Sequence, residues 1–310
     1  MQLMHADHGE GFFLGEIMEL KPALNYDDQI TKLRDDHNLK IKDDEFAKTI
    51  LQKVNYYRLS GYGIGLKKRD NKEHYEDNIT IEHIFNLYCF DSQFKNILMR
   101  TIEQIEIELR NQITYHLATK YGSAVLMNEN NFVRKINGDG HTIYSIVINN
   151  LQKEISRQKN KPFVKHHINK YKGQFPIWVS LELISFGNLS SLYSILKDED
   201  QKVISRYYKT DTKYLKNWIL CLVEVRNICA HYTRLYNMPL KENPRLYNEN
   251  VKYKGRQNKI FPVLLIIKRM LNSNEQWLSL LKDIKNTFNK YDGCFNLSFM
   301  GFPRNWEQVL

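Results

Sequence analysis

Between Ile81 and Tyr121 the apolar residues recur three and four positions apart. Phe94, Leu98, Ile102, Ile105, Leu109, Ile113 and Leu117 form one stripe, the period of a helix with a single buried face. Gly122 follows, the residue type that ends helices most readily, so the pattern predicts one long helix over this span. A second helix begins near Asp211, an N-cap residue, and carries Leu215, Trp218, Leu222, Val225 and Cys229 on one face before Pro239. Similar spacing predicts shorter helices over Asp27 to Asp36, Asp43 to Tyr56, Thr142 to Arg157, Ile177 to Phe186, Ser190 to Leu196, Phe261 to Leu271 and Asn274 to Phe288. Strict alternation is not the dominant pattern, so the expected fold class is all-α.

Composition narrows this reading. The 310 residues suggest about two domains of roughly 150 residues each, and 14 glycines and 7 prolines are few for that length. The longest apolar stretch, Phe261 to Ile267, falls far short of the roughly 20 residues that cross a bilayer. No membrane partner is therefore expected. The opening Met1 to Glu19 lacks the cationic lead and long apolar run of a secretory signal, so the expected location is the cytoplasm. Cys89, Cys221, Cys229 and Cys294 show no CxxC pairing and read as reduced core thiols.

The expected organisation is an N-terminal extension over 1–25, a helical region over 26–80, and a helical core over 81–310. That core divides into halves of about 81–150 and 175–290. Met18 offers an alternative beginning, which leaves open whether 1–17 belongs to the working protein. The clearest composition shift is Lys153 to Lys172, where Lys153, Arg157, Lys159, Lys161, Lys165, Lys170 and Lys172 face only Glu154. It reads as a basic crossing or loop between the halves. With a net charge of +10, it favours a polyanionic partner such as nucleic acid, although charge runs are often plain solvated surface.

One motif recurs. Glu108-Leu109-Arg110-Asn111 and Glu224-Val225-Arg226-Asn227 share Glu-x-Arg-Asn, and each precedes a histidine, His116 and His231. Such a pair suits RNA cleavage without a metal. A histidine can take the proton of a ribose 2′-hydroxyl or return one to the leaving oxygen, and a guanidinium stabilises charge developing on the phosphate. On a straight helix Arg226 and His231 lie about 140° apart and Arg110 and His116 about 120° apart. Convergence therefore needs a helix end, a kink, or a facing helix from the other half or a second subunit. The bland alternatives are an ion pair of Arg226 with Glu224, a helix-end histidine facing the dipole, and an Arg110–Glu106 bridge one turn apart. His116 also falls within the apolar stripe, as a packed histidine would.

The segment from Arg226-Asn227 through His231 to Asn237 resembles the Arg-Asn-x-x-x-His signature of HEPN ribonucleases, in the form seen in the abortive-infection Abi family of the AbiD and AbiF type. Asn55-Tyr56-Tyr57-Arg58-Leu59-Ser60-Gly61-Tyr62 is similar to that family's N-terminal motif, and Tyr88 to Asp91 with Ile102 to Arg110 to its central helix. Phe175-Pro176-Ile177-Trp178, Ser185 to Ser190, and Met300 to Pro303 with Trp306 resemble later family blocks.

The resemblance implies an all-helical, HEPN-like bundle of one or two such halves. It implies a metal-independent endoribonuclease cleaving single-stranded RNA in anti-phage abortive infection or a toxin-antitoxin system. Arg226 and His231 would be catalytic, Asn227 supporting, and Arg110, Asn111 and His116 a looser second half-site. RNA is the implied partner, with a regulatory small RNA in some relatives, a homodimer is the default assembly, and no cofactor is called for. The rival reading is a non-catalytic RNA-binding module.

Tyr57 and Arg58 are candidate base-stacking contacts, against simple packing at a helix exit. Lys159, Lys161, Lys165 and Arg234 are candidate phosphate contacts. Trp178, Phe186 and Gly187 read as helix ends with core anchors. The adjacent His166 and His167 lack the helical spacing of a zinc pair, so no metal site is expected.

Overall fold

A computed structural model describes residues 20, 22–256 and 258–310 of the chain. The alternative beginning at Met18 and most of the expected extension over 1–25 lie outside the described residues. Two compact units are present, one of residues up to Arg58 with Leu66–Ile81, the other of Leu59–Gly65 with Glu82–Leu310. Helices dominate, and among the described residues the only β-type pairings are isolated bridges.

In the first unit α1 (Tyr26–Thr31) packs on α2 (Asp44–Lys53). Asn25 and Asp43 cap their starts by accepting from Asp28 N–H and Phe46 N–H. The 27–36 helix widens part-way, since Lys32–Asp36 is a π-helical turn. The predicted helix to Tyr56 breaks at Val54 in extended backbone, and α3 (Tyr56–Tyr62) starts afresh.

The second unit is built on α4 (Ile81–Tyr121), 41 residues long, or about 60 Å at 1.5 Å per residue. Every member of the predicted stripe from Phe94 to Leu117 is fully buried, and α4 stops at Gly122 with φ +87°. There follow α5 (Ile143–Arg157), α6 (Pro162–Lys170), α7 (Ile177–Leu183), α8 (Phe186–Ser194), α9 (Asp198–Tyr207), α10 (Thr212–Ala230), α11 (Ile260–Met270), α12 (Asn274–Lys290) and α13 (Trp306–Val309). α10 packs on α8, α9 and α11, and α5 on α7 and α8. Nearly all of α11 is buried, which accounts for the apolar stretch at Phe261 to Ile267: a helix covered on all sides has no polar face. No described helix is long and apolar enough to cross a membrane.

Three expectations are corrected. Lys153 to Lys172 is no loop, since α5 runs to Arg157 and α6 restarts at Pro162, where proline's missing N–H and fixed φ suit a first helical turn. The helix at Ile177 ends at Leu183, because Ser185 caps α8 by accepting from Asn188 N–H. Trp178 is no core anchor, being 52% exposed, whereas Phe186 is buried.

Candidate active site at the end of helix α10

The C-terminus of α10 is closed by two backbone hydrogen bonds, Thr233 N–H to Ile228 O at 3.0 Å and Tyr232 N–H to Cys229 O at 3.3 Å. This pairing is a Schellman cap, with His231 at the cap position and Tyr232 next, at φ +57°. Glycine normally takes that left-handed position, and a β-carbon there costs of order 1 kcal/mol. Tyr232 is exposed. The strained turn therefore sits directly after the candidate histidine.

Asp91 and Lys95, both buried on α4, hold the outgoing strand of this turn. Asp91 accepts from Tyr236 N–H at 2.7 Å, Leu235 N–H at 3.2 Å and Tyr62 O–H at 2.6 Å. It pairs with Lys95 at 3.0 Å, and Lys95 Nζ donates to Thr233 O at 2.9 Å. A buried charge pair persists when its remaining donors and acceptors are satisfied, and here they are satisfied by the backbone at Thr233 to Tyr236. In the sequence Asp91 figures only as the end of a family block, and Lys95 not at all. Their signal was a charged pair one turn apart, flanked by Phe90 and Phe94 inside an apolar stretch. Beneath the same helix end, burial pushes the Cys229 thiol up to about 12, and Cys221 is likewise raised.

The two Glu-x-Arg-Asn motifs have different fates. Arg110 is buried and donates to Leu181 O, to Ile184 O at 3.1 Å, and to Glu106 Oε1 at 2.6 Å. Its guanidinium thus ties α4 to the end of α7. Arg226 is partly exposed, with Nε 3.8 Å from Glu106 Oε2 and one terminal nitrogen donating to Asn227 Oδ1 at 3.4 Å. Nε is buried without a hydrogen-bond acceptor among the described residues. The glutamates are structural too. Glu108 accepts from Tyr207 and Asn272, and Glu224 accepts from Lys241 N–H and Glu242 N–H at 2.7 Å each. The carboxylate beside Arg226 is therefore Glu106, not Glu224.

His231 is exposed, and its ring has no hydrogen-bond or ion-pair partner among the described residues. Arg226, Asn227 and His231 occupy the last turn and a half of one helix, spaced over about 7.5 Å of axis. Arg110, Asn111 and His116 do not assemble likewise. Asn111 is exposed, Arg110 is consumed by backbone carbonyls, and His116 is bound to Asp200 Oδ1 at 2.7 Å. Asp200 is fully buried and also accepts from Lys120 and Tyr121. Burial alone would raise its carboxyl, but the hydrogen bonds from Lys120, His116 and Tyr121 outweigh this and hold it below the usual range.

A model of the Abi-like protein family matches residues 49–237, more than half of the chain. The chain belongs to the Abi-like family. No curated protein and no solved structure matches it. The Abi-like match takes in both Glu-x-Arg-Asn motifs and ends just after the Asp91-bound segment.

Of the other candidate RNA contacts, Lys159, Lys161 and Lys165 are exposed around the start of α6. Arg234 is half-buried, its guanidinium 5.9 Å from the Tyr62 ring and bonded to Met238 Sδ. Tyr57 and Arg58 are exposed and belong to the first unit.

Proposed function

We propose that this Abi-like family member is a metal-independent endoribonuclease acting in defence against phage, with Arg226 and His231 at the end of α10 as its reactive groups. The reading is supported by one contrast. Of two arginines in the same sequence motif, Arg110 spends its donors on the fold, while Arg226 is partly exposed with only a long bond to Asn227 and a 3.8 Å approach to Glu106, and His231 at the end of the same helix is exposed and unpaired.

The chemistry follows from those groups. An imidazole removes the proton of a ribose 2′-hydroxyl, whose oxygen attacks the adjacent phosphorus, and the bond to the 5′-oxygen breaks. The products are a 2′,3′-cyclic phosphate and a 5′-hydroxyl, the latter taking up a proton. Arg226 donates to the phosphate oxygens as charge builds on them, and Asn227 holds the guanidinium from one side. One chain presents one such pair, and removal and delivery of a proton call for two groups. A homodimer with two-fold symmetry would bring two copies of the helix end together.

The test is incubation of the purified protein with mixed RNA in EDTA. Wild type should cut and leave cyclic phosphate ends, and His231→Ala and Arg226→Ala should lose at least about a hundredfold in rate. Equal cleavage by wild type and His231→Ala would remove the histidine from the mechanism. Salt-sensitive binding with no cut product would favour the non-catalytic RNA-binding reading.

A further inference from the structure

A cavity of 260 Å³ opens between the end of α4, α6 and the start of α7, lined by Met127, His167, Tyr171, Gln174, Phe175 and Trp178. Its aromatic groups are arranged in layers. The His167 ring lies 5.4 Å from Phe175 at 21° and 5.2 Å from Tyr171 at 31°. His167 Nδ1 donates to Phe163 O at 2.8 Å, so in the neutral ring Nε2 carries the lone pair and is an acceptor. Trp178 and Tyr171 are 52% and 46% exposed, so both side chains reach solvent at the rim. The walls are fixed by Ile177 N–H donating to Ser123 O at 2.9 Å.

The segment that supplies His167 to Trp178 is cationic. No acidic residue occurs from 155 to 181, whereas Arg157, Lys159, Lys161, Lys165, Lys170 and Lys172 all do. Lys170 Nζ stands 5.5 Å from the Tyr171 ring centroid. A stack of flat rings with an amide and an imidazole at its edge and Lys170 against the Tyr171 ring, in a segment rich in cations, fits a heteroaromatic base carrying phosphates.

We propose that this pocket holds one unstacked base of an RNA strand, the base against Trp178 and Tyr171 and its neighbouring phosphates on the lysines of α6. The occupant rests on the reading of RNA as substrate. The strand is favoured over a free nucleotide because the cations extend beyond the pocket, from Lys159 to Lys172, and because α7 links the pocket to the candidate active site. Trp178 in its first turn is one turn before Leu181, whose carbonyl is bound by Arg110, the partner of the Glu106 that faces Arg226. The pocket and the candidate active site are thus tied to one framework of α4 and α7, and a base held in the pocket would make it a specificity subsite.

The full-length protein is titrated into a 2′-O-methyl oligouridine hexamer containing one 2-aminopurine, which cannot be cleaved for lack of a 2′-hydroxyl. Wild type should quench the 2-aminopurine. Trp178→Ala should bind roughly tenfold more weakly or worse, Trp178→Phe should restore most of the affinity, and Lys170→Glu should weaken it. Thermal melts check that each variant is folded. Unchanged affinity and quenching in Trp178→Ala would overturn the proposal. So would binding of a nucleoside monophosphate without binding of the hexamer. Cleavage of natural RNA by wild type, lost in His231→Ala, with hexamer binding indifferent to Trp178 would discard the pocket and keep the nuclease. Trp178-dependent quenching without any cleavage would do the reverse.

Discussion

Glu106 Oε2 stands 3.8 Å from Arg226 Nε, while the other oxygen of the same carboxylate accepts from Arg110 at 2.6 Å. The two repeats of Glu-x-Arg-Asn therefore meet on a carboxylate that belongs to neither. Arg110 takes the hydrogen bond, and Arg226 is held within electrostatic reach but out of bonding distance. An arginine so placed is oriented by a charge without being saturated by it, which leaves its donors for a phosphate.

This division of roles has a stability signature. Arg110→Ala would strip the largely buried Glu106 of its hydrogen-bonded partner and free the carbonyls of Leu181 and Ile184, and should cost about 3–5 kcal/mol; Glu106→Ala, which leaves the buried Arg110 without its counter-charge, should cost about as much. Arg226→Ala removes a partly exposed pairing and should cost under about 1 kcal/mol. Urea unfolding of the three variants separates the two classes. Similar losses from Arg110→Ala and Arg226→Ala would refute the assignment.

Asp91 should matter to the turn as much as to the core. Asp91→Ala strands Lys95 and the N–H groups of Leu235 and Tyr236, at an expected cost of about 3–5 kcal/mol. Hydrogen exchange at those two amides should speed up ahead of the rest of the unit. Protection as in wild type would show that something else holds the segment.

The strain at Tyr232 can be relieved. With φ at +57°, Tyr232→Gly should stabilise the protein by about 0.5–1 kcal/mol, the left-handed penalty less glycine's greater unfolded entropy. A rise in the urea midpoint is the expected result. A fall would mean that the tyrosine side chain contributes more than its backbone costs.

The Asp200 cluster sets an acid limit. Its carboxyl is held below its ordinary value of 3.8 in the fold, so the stability it contributes is complete above that pH and lost as pH falls through the lowered value. Asp200→Asn should therefore be less stable than wild type at pH 7 by about 2–4 kcal/mol, with the gap closing below about pH 4. A gap that stays constant down to pH 2 would exclude the linkage.

The long helix was readable to the residue because its stripe repeats over more than six turns and Gly122 supplies a left-handed stop. The breaks at Val54 and Ser185 were not, since an apolar pattern can run on through a change of axis that only a cap marks. The place of His231 was half legible. The motif pointed to it, but the helix end came well before Pro239, the one stop signal in the local sequence.

Taken alone, the sequence determined the helical class, the buried stripes, the family blocks and a short choice of arginines and histidines, because periodicity and residue chemistry are local properties. Only the tertiary structure decided that Arg110 and His116 serve the fold while Arg226 and His231 remain available. That choice depends on which carbonyls and carboxylates are brought up from distant positions: Leu181, Ile184 and Asp200 on one side, Glu106 alone on the other. Whether a polar group is satisfied is a property of packing, and no spacing within one helix encodes it.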